Sequence, residues 1–129
     1  MAHHRVLYGD IHNHNAHGYG VGSIERSLEI ARKAGIREDR IVLDPGFGFG
    51  KSLEQNLELL ARFSELNALG FPLLAGTSRK SFIQKVAGRE DPGRLIGTIV
   101  TNVAAAFAGA AIVRVHDVAE HVTALRMAA

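Results

Sequence analysis

The stretch Arg40-Ile41-Val42-Leu43-Asp44-Pro45-Gly46-Phe47-Gly48-Phe49-Gly50-Lys51-Ser52 decides the fold. Its first five residues read as an apolar strand, and Pro45, which has no N–H to donate, stops it. A glycine loop runs to Gly50. Ser52-Leu53-Glu54-Gln55 then matches a capping box, and Leu53, Leu57, Leu60 and Leu66 predict one long helix that Gly70 ends. Strand, ligand-sized loop and helix in direct succession are the building block of a parallel α/β protein.

The same pattern recurs on both sides. Downstream, Phe71–Ala75 reads as a strand and Thr77–Gly88 as a loop with a short helix. Asp91-Pro92-Gly93 reads as a turn, Arg94–Ala108 as an apolar helix, Ala111–Val115 as a strand, and Asp117 as the cap of a last helix. Upstream, Arg5–Asp10 reads as a strand and residues 11–22 as a loop. Ser23 reads as the cap of a helix that Gly35 ends. Four strand–helix units with near-continuous apolar strands imply a parallel sheet. A complete eight-unit barrel needs about 250 residues. The chain, at 129 residues, has the length of half of one. The expected fold is therefore α/β, a parallel (β/α)4 half of a TIM-type barrel forming a single domain over 1–129, with a small open sandwich as the alternative. A half barrel leaves two strand edges open, so a homodimer or higher oligomer is expected to cover them.

Composition narrows the function. Apolar residues make up 47% of the chain and charged residues 22%. Those are globular proportions. The absence of cysteine excludes a disulfide scaffold, a thiolate zinc site and a cysteine nucleophile. With no basic-then-apolar leader at its start, the chain is expected to be cytoplasmic. The net charge of +2 is uneven: residues 1–70 hold 8 basic and 9 acidic side chains, and residues 71–129 hold 7 and 4. There is no Lys/Arg run and no basic–aromatic interleaving, so nucleic acid is not the expected partner; small anions are. The run Leu95–Val113 carries no charge, but its threonines, Asn102 and the Gly109 break read as a buried helix running into a strand, not a membrane span.

In parallel α/β folds ligands bind at the carboxyl ends of the strands. Every polar, glycine-rich segment falls there: Asp10-Ile11-His12-Asn13-His14, Asp44–Lys51, Gly76-Thr77-Ser78-Arg79-Lys80 and Arg114-Val115-His116-Asp117. The glycine loop fails the phosphate-loop count, since Pro45 stands where a glycine is needed, and the dinucleotide count, since Lys51 replaces the last glycine. It nevertheless allows close backbone approach, with N–H groups expected free at the helix start. Asp44 can accept two donors from a heterocycle. Ser78, Arg79 and Lys80 suit an anion, and Arg114 and His116, two apart on one strand, would both face the ligand end. His121 reads as a surface residue of the last helix.

Asp44-Pro45-Gly46-Phe47-Gly48-Phe49-Gly50-Lys51, Gly76-Thr77-Ser78-Arg79-Lys80-Ser81-Phe82 and Ile112-Val113-Arg114-Val115-His116-Asp117-Val118 resemble, in order and spacing, the last three strand motifs of dihydropteroate synthase. The resemblance covers about residues 33–129. It implies a (β/α)8 barrel that joins 4-aminobenzoate to a hydroxymethyl-dihydropterin pyrophosphate with Mg2+, releasing pyrophosphate. It also implies roles: Asp44 and Lys80 on the pterin, Phe49 and Ser81 beside the aminobenzoate, Arg114 and His116 on the pyrophosphate. Lys51, Gly76, Ser78 and Arg79 complete the implied substrate site, with Lys80, Arg114 and His116 as its catalytic members. The family's first strands, with the metal-binding asparagine, are not in this chain.

Residues 5–32 resemble a different family. Tyr8-Gly9-Asp10-Ile11-His12-Asn13-His14 is similar to the opening of the polymerase and histidinol phosphatase family of metal-dependent phosphoesterases. That likeness implies a divalent metal on Asp10, His12 and His14, with His17 nearby, and phosphohydrolase chemistry as an alternative function. The two likenesses meet at Ala31–Ala34, which leads to the expectation of a recombined chain. A non-catalytic half-barrel scaffold is the remaining alternative.

Overall fold

A computed structural model describes residues 24–88 and 92–129. The strand expected at Arg5–Asp10, the loop after it, the Ser23 cap and the metal candidates Asp10, His12 and His14 lie outside the described residues. The elements in order are α1 (Ile24–Lys33), a 3-10 turn (Glu38–Arg40), α2 (Leu53–Ala61), a 3-10 segment (Phe63–Leu69), β1 (Leu73–Ala75), α3 (Ser81–Ala87), α4 (Gly93–Phe107), β2 (Ala110–Val113) and α5 (Val118–Ala128).

Three chain segments run parallel side by side. β1 pairs with β2 in the register Leu73↔Ala110, Leu74↔Ile112, Ala75↔Val113. On its other side Leu43 bridges Leu73, with Leu43 N–H donating to Pro72 O (2.9 Å) and Leu74 N–H to Leu43 O (2.8 Å). Spatial order follows chain order, and helices fill each crossover. That is the progression of a barrel wall; a doubly wound sheet reverses it.

The strands are shorter than the sequence predicts. Arg40 belongs to a 3-10 turn, and only Leu43 of Arg40–Asp44 pairs. β2 ends at Val113, so Arg114 and His116 sit beyond the strand, although Arg114 N–H still reaches Ala75 O at 3.0 Å. The long helix expected from Ser52 onward breaks after Ala61 into the 3-10 segment, which Gly70 ends in a left-handed conformation. The capping box forms as predicted. The Ser52 hydroxyl accepts from Gln55 N–H (3.2 Å), and the Gln55 side-chain carbonyl accepts from Ser52 N–H (2.7 Å). Asp117 stands at the N-cap of α5, but its carboxylate makes no capping bond and pairs elsewhere.

The core lies between the strands and the helices. Phe47, Phe63, Leu73, Ala75, Phe82, Ile83 and Ala105 are buried. Phe47 stacks on Phe63 and Phe82, with ring centroids 6.0 and 6.2 Å apart. Such offset aromatic pairs add to the burial of their area. Phe47 belongs to the glycine loop, so the core itself anchors that loop. His121 is 2% exposed, which corrects the expectation of a surface residue. One turn into α5, its Nδ1 bonds the Asp117 carbonyl at 2.7 Å, which draws the ring inward. No helix among the described residues is long and apolar enough to cross a membrane.

Candidate functional site

Three segments converge at the carboxyl ends of the parallel strands: the glycine loop, the turn 76–80 and residues 114–117. The glycine loop is tied to itself. Asp44 Oδ1 accepts from Gly46 N–H at 2.8 Å, and Phe49 N–H donates to Gly46 O at 3.2 Å. Lys51 Nζ donates to Gly46 O (2.9 Å) and Phe49 O (3.3 Å). Asn56, 1% exposed on α2, accepts from Gly48 N–H (2.7 Å) and donates to Ser52 O (2.7 Å) and Lys51 O (3.3 Å). The N–H groups of Gly46, Gly48 and Phe49 are therefore engaged within the protein, and at the helix start, where free N–H groups were expected, those of Ser52 and Gln55 are taken by the capping box. Lys51, expected on a substrate, clamps the loop. Its ammonium is pushed below the usual lysine range by burial, an effect that Asp44 opposes.

The loop presents Phe49 to the turn. Lys80 Nζ sits 3.6 Å from the centre of the Phe49 ring, a cation–π contact. Gly48, at φ +76°, lies under the Lys80 stem: a Cβ there would come within 2.9 Å of Lys80 Cδ. Burial, and then the neighbouring Arg114 charge, lower the Lys80 pKa, with Asp44 acting the other way. Two cations and one carboxylate thus share the floor of the site. Arg114 Nη2 is 3.7 Å from Asp44 Oδ2, and the Arg114 side chain stays half exposed. Gly76 makes room for it, since a Cβ on Gly76 would lie 2.6 Å from Arg114 Nη2.

The turn and the last loop are joined by two prongs. Ser78 Oγ accepts from His116 N–H (3.1 Å) and stands 2.8 Å from His116 Nδ1. With the hydroxyl proton on the Nδ1 contact, every group of the pair is satisfied and Nε2–H is left as a donor for a ligand; we assign this tautomer from the bonding pattern. Arg79 donates to both oxygens of Asp117, from Nε at 3.1 Å and Nη2 at 2.5 Å. That bond holds the Asp117 carboxyl below the usual range. Ser81 opens α3 and is exposed.

The structure brings together Asp44, Phe49, Gly76, Ser78, Arg79, Lys80, Arg114 and His116. Sequence reasoning does not single out Asn56 or the packing of Phe47, and it reads the α4 side chains Thr98, Thr101 and Asn102 only as marks of a buried helix, not as the groups that back the turn. For Asn56 a signal exists: an amide in the first turn after a capping box, beside a glycine loop with donors to satisfy. Among the described residues no group of three or more His, Asp or Glu can hold a metal ion. Of the two described carboxylates at this end, Asp117 is held through both oxygens by Arg79, and Asp44 gives one oxygen to Gly46 N–H and keeps the other beside Arg114. These residues therefore do not fit a magnesium ion by themselves.

Comparison with known proteins settles the ancestry. The pterin binding enzyme family matches residues 15–116. The chain belongs to the pterin binding enzyme family. A dihydropteroate synthase of Synechocystis sp. is 52% identical over 92 residues, covering 70% of this chain and 32% of that protein. The Escherichia coli dihydropteroate synthase is 48% identical over 101 residues, covering 77% and 36%. The chain thus spans about a third of the length of these curated relatives. Among solved structures, Yersinia pestis dihydropteroate synthase superposes with a TM-score of 0.77 at 44% identity, covering 81% of this chain and 49% of that one. The Xanthomonas albilineans enzyme, solved in complex with 7,8-dihydropteroate, gives 0.77 at 46% identity, covering 81% and 41%. These neighbours place the parallel arc within the TIM-type barrel class.

Membership of the pterin binding enzyme family bears on one expectation. The match spans residues 15–116, across the Ala31–Ala34 junction at which the two likenesses were expected to meet. The comparisons do not show the phosphoesterase likeness.

Proposed function

We propose that this chain supplies the pterin and pyrophosphate side of a dihydropteroate synthase site in folate biosynthesis. The observation that carries the reading is the convergence of Asp44, Lys80, Arg114 and the Ser78–His116 pair at one end of the parallel strands. In the reaction, the amine of 4-aminobenzoate forms a bond to the pterin methylene carbon. The bond from that carbon to pyrophosphate breaks, and the amine loses a proton. Charge develops on the departing pyrophosphate. Arg114, Lys80 and the His116 Nε2–H form a preorganised cationic end that would stabilise it. The free lone pairs of Asp44 would accept the ring N–H donors of a pterin. Phe49 keeps the Lys80 ammonium in place from below. The described residues lack a donor set for magnesium.

The reading concerns binding by this chain, because the relatives carry about two thirds of their length in addition. Beyond β2, the groove of about 450 Å³ lined by Leu74, Ile112, Val113, Val118, Val122 and Leu125 is where further barrel units would pack. Within this reading a second copy is one source of them, and sedimentation velocity tests for it. The decisive experiment is titration calorimetry of a hydroxymethyl-dihydropterin pyrophosphate against the parent and Arg114→Ala. Loss of a charged contact should weaken binding about tenfold or more. No binding to the parent, or equal binding to both, overturns the proposal.

A further inference from the structure

We propose that Thr98 on α4, which touches the site only through the Arg79 backbone N–H, is a positioning residue. Its hydroxyl would hold the turn 76–80 in the shape that lets Ser78 engage His116. The inference rests on the functional reading above for its consequence, but not for its geometry.

Arg79 is the one described non-glycine residue with a positive φ, at 55°. A side-chain-bearing residue stays in that conformation only when its surroundings over-determine it. Two contacts on Arg79 do so. Its N–H donates to Thr98 Oγ1 at 3.0 Å, and its guanidinium grips Asp117. Thr98 is itself fixed, 0% exposed, with its hydroxyl proton given to Arg94 O at 2.6 Å. One turn further along α4, Thr101 Oγ1 stands 2.9 Å from Thr77 Oγ1, which donates to Asn102 Oδ1 at 2.9 Å. A helix that is apolar beyond Arg94 apart from these residues thus buries three polar side chains against a single turn.

Stability alone does not explain that row. Polar groups buried against each other are at best about as stabilising as well-packed apolar ones. What they add is a defined conformation. The rotation at Arg79 sends its side chain to Asp117 while Ser78, one residue earlier, meets His116. Releasing the Arg79 amide from Thr98 should let the residue relax to negative φ, and both prongs should loosen together.

The test compares Thr98→Val, which removes the hydroxyl at similar volume, with Thr98→Ser, which keeps it. Amide hydrogen exchange read by NMR needs no ligand. Exchange at Arg79 and at His116 should both speed up about tenfold in Thr98→Val and return to parental rates in Thr98→Ser. Acceleration at Arg79 with His116 unchanged means Thr98 acts only locally, and overturns the proposal. Should Thr98→Val not fold, Thr98→Ala removes the same hydroxyl and is read in the same way. In parallel, calorimetry with inorganic pyrophosphate should show about tenfold weaker binding to Thr98→Val, recovered in Thr98→Ser. A parent that fails to bind pyrophosphate counts against the functional reading, while the exchange result still decides the role of Thr98.

Discussion

The glycine loop 45–52 and the turn 76–80 meet across the Lys80–Phe49 contact, yet they are held by opposite means. The hydrogen bonds of the glycine loop come from within its own neighbourhood, while Phe47 alone reaches into the core. Gly46 bonds to Asp44 two residues away, Lys51 to Gly46 five away and Gly48 to Asn56 eight away. The turn is secured from far along the chain. Arg79 bonds to Thr98, 19 residues on, Thr77 to Asn102, 25 on, and Ser78 to His116, 38 on. A loop of the first kind can make its hydrogen bonds with its own strand and helix. A turn of the second kind exists only once α4 and the segment after β2 have docked, so the last part of the site to assemble is the part that carries Lys80, Ser78 and His116.

The strongest way to break the comparison is Asn56→Leu, which fills the same space without the amide. The Gly48 N–H then loses its acceptor on α2, at a cost of about 1–3 kcal/mol. Denaturant unfolding should show that loss. Amide exchange should accelerate at Gly48 while Arg79 and His116 keep their parental rates. If the turn loosens equally, the two regions form one unit and the distinction is wrong.

The same division explains what is legible in the sequence. The capping box at Ser52, the strand–loop–helix order and the carboxyl-end placement of the polar motifs depend on near neighbours, and each is readable. Strand length is not, because pairing depends on a partner segment: only Leu43 of Arg40–Asp44 bridges β1. The role of Thr98, Thr101 and Asn102 is hidden because threonines in an apolar helix carry no mark of what they face. His121 misleads for a related reason. A lone histidine on a helix does not reveal that its own turn offers the Asp117 carbonyl. Lys51 reads as a ligand group from its place after the glycine loop, and nothing in the sequence tells that its ammonium also clamps two loop carbonyls.

A smaller effect sharpens the local side. Ser52→Ala removes one half of the capping box and leaves Gln55 N–H without its acceptor. Loss of an N-cap hydroxyl costs about 1 kcal/mol. The midpoint of urea unfolding should fall accordingly, with its slope unchanged. Because α2 carries Asn56, exchange at Gly48 should rise modestly, and binding of pyrophosphate at the distant turn should stay within twofold. A large loss of pyrophosphate affinity in Ser52→Ala would show that the glycine loop transmits to the turn after all.

The smallest effect belongs to Asp117→Asn, and its value lies in its pH dependence. Asp117 has a carboxyl pKa lowered by the Arg79 hydrogen bond. A group whose folded pKa is depressed contributes stability that is present above its ordinary pKa and lost as pH falls through the folded one. The parent should therefore melt above Asp117→Asn at pH 7, and the two curves should converge as pH falls below about 4, the ordinary range for an aspartate. The Arg79 side chain is 49% exposed. Solvent and salt therefore weaken the pair, and raising ionic strength at pH 7 should narrow the gap as well. Exchange at His116 should accelerate in the variant at neutral pH, because one of the two prongs is gone. A melting difference that persists unchanged at pH 3 would mean that Asp117 acts through packing, not charge. The turn would then be held by Ser78 and Thr98 alone, without an ionic contribution.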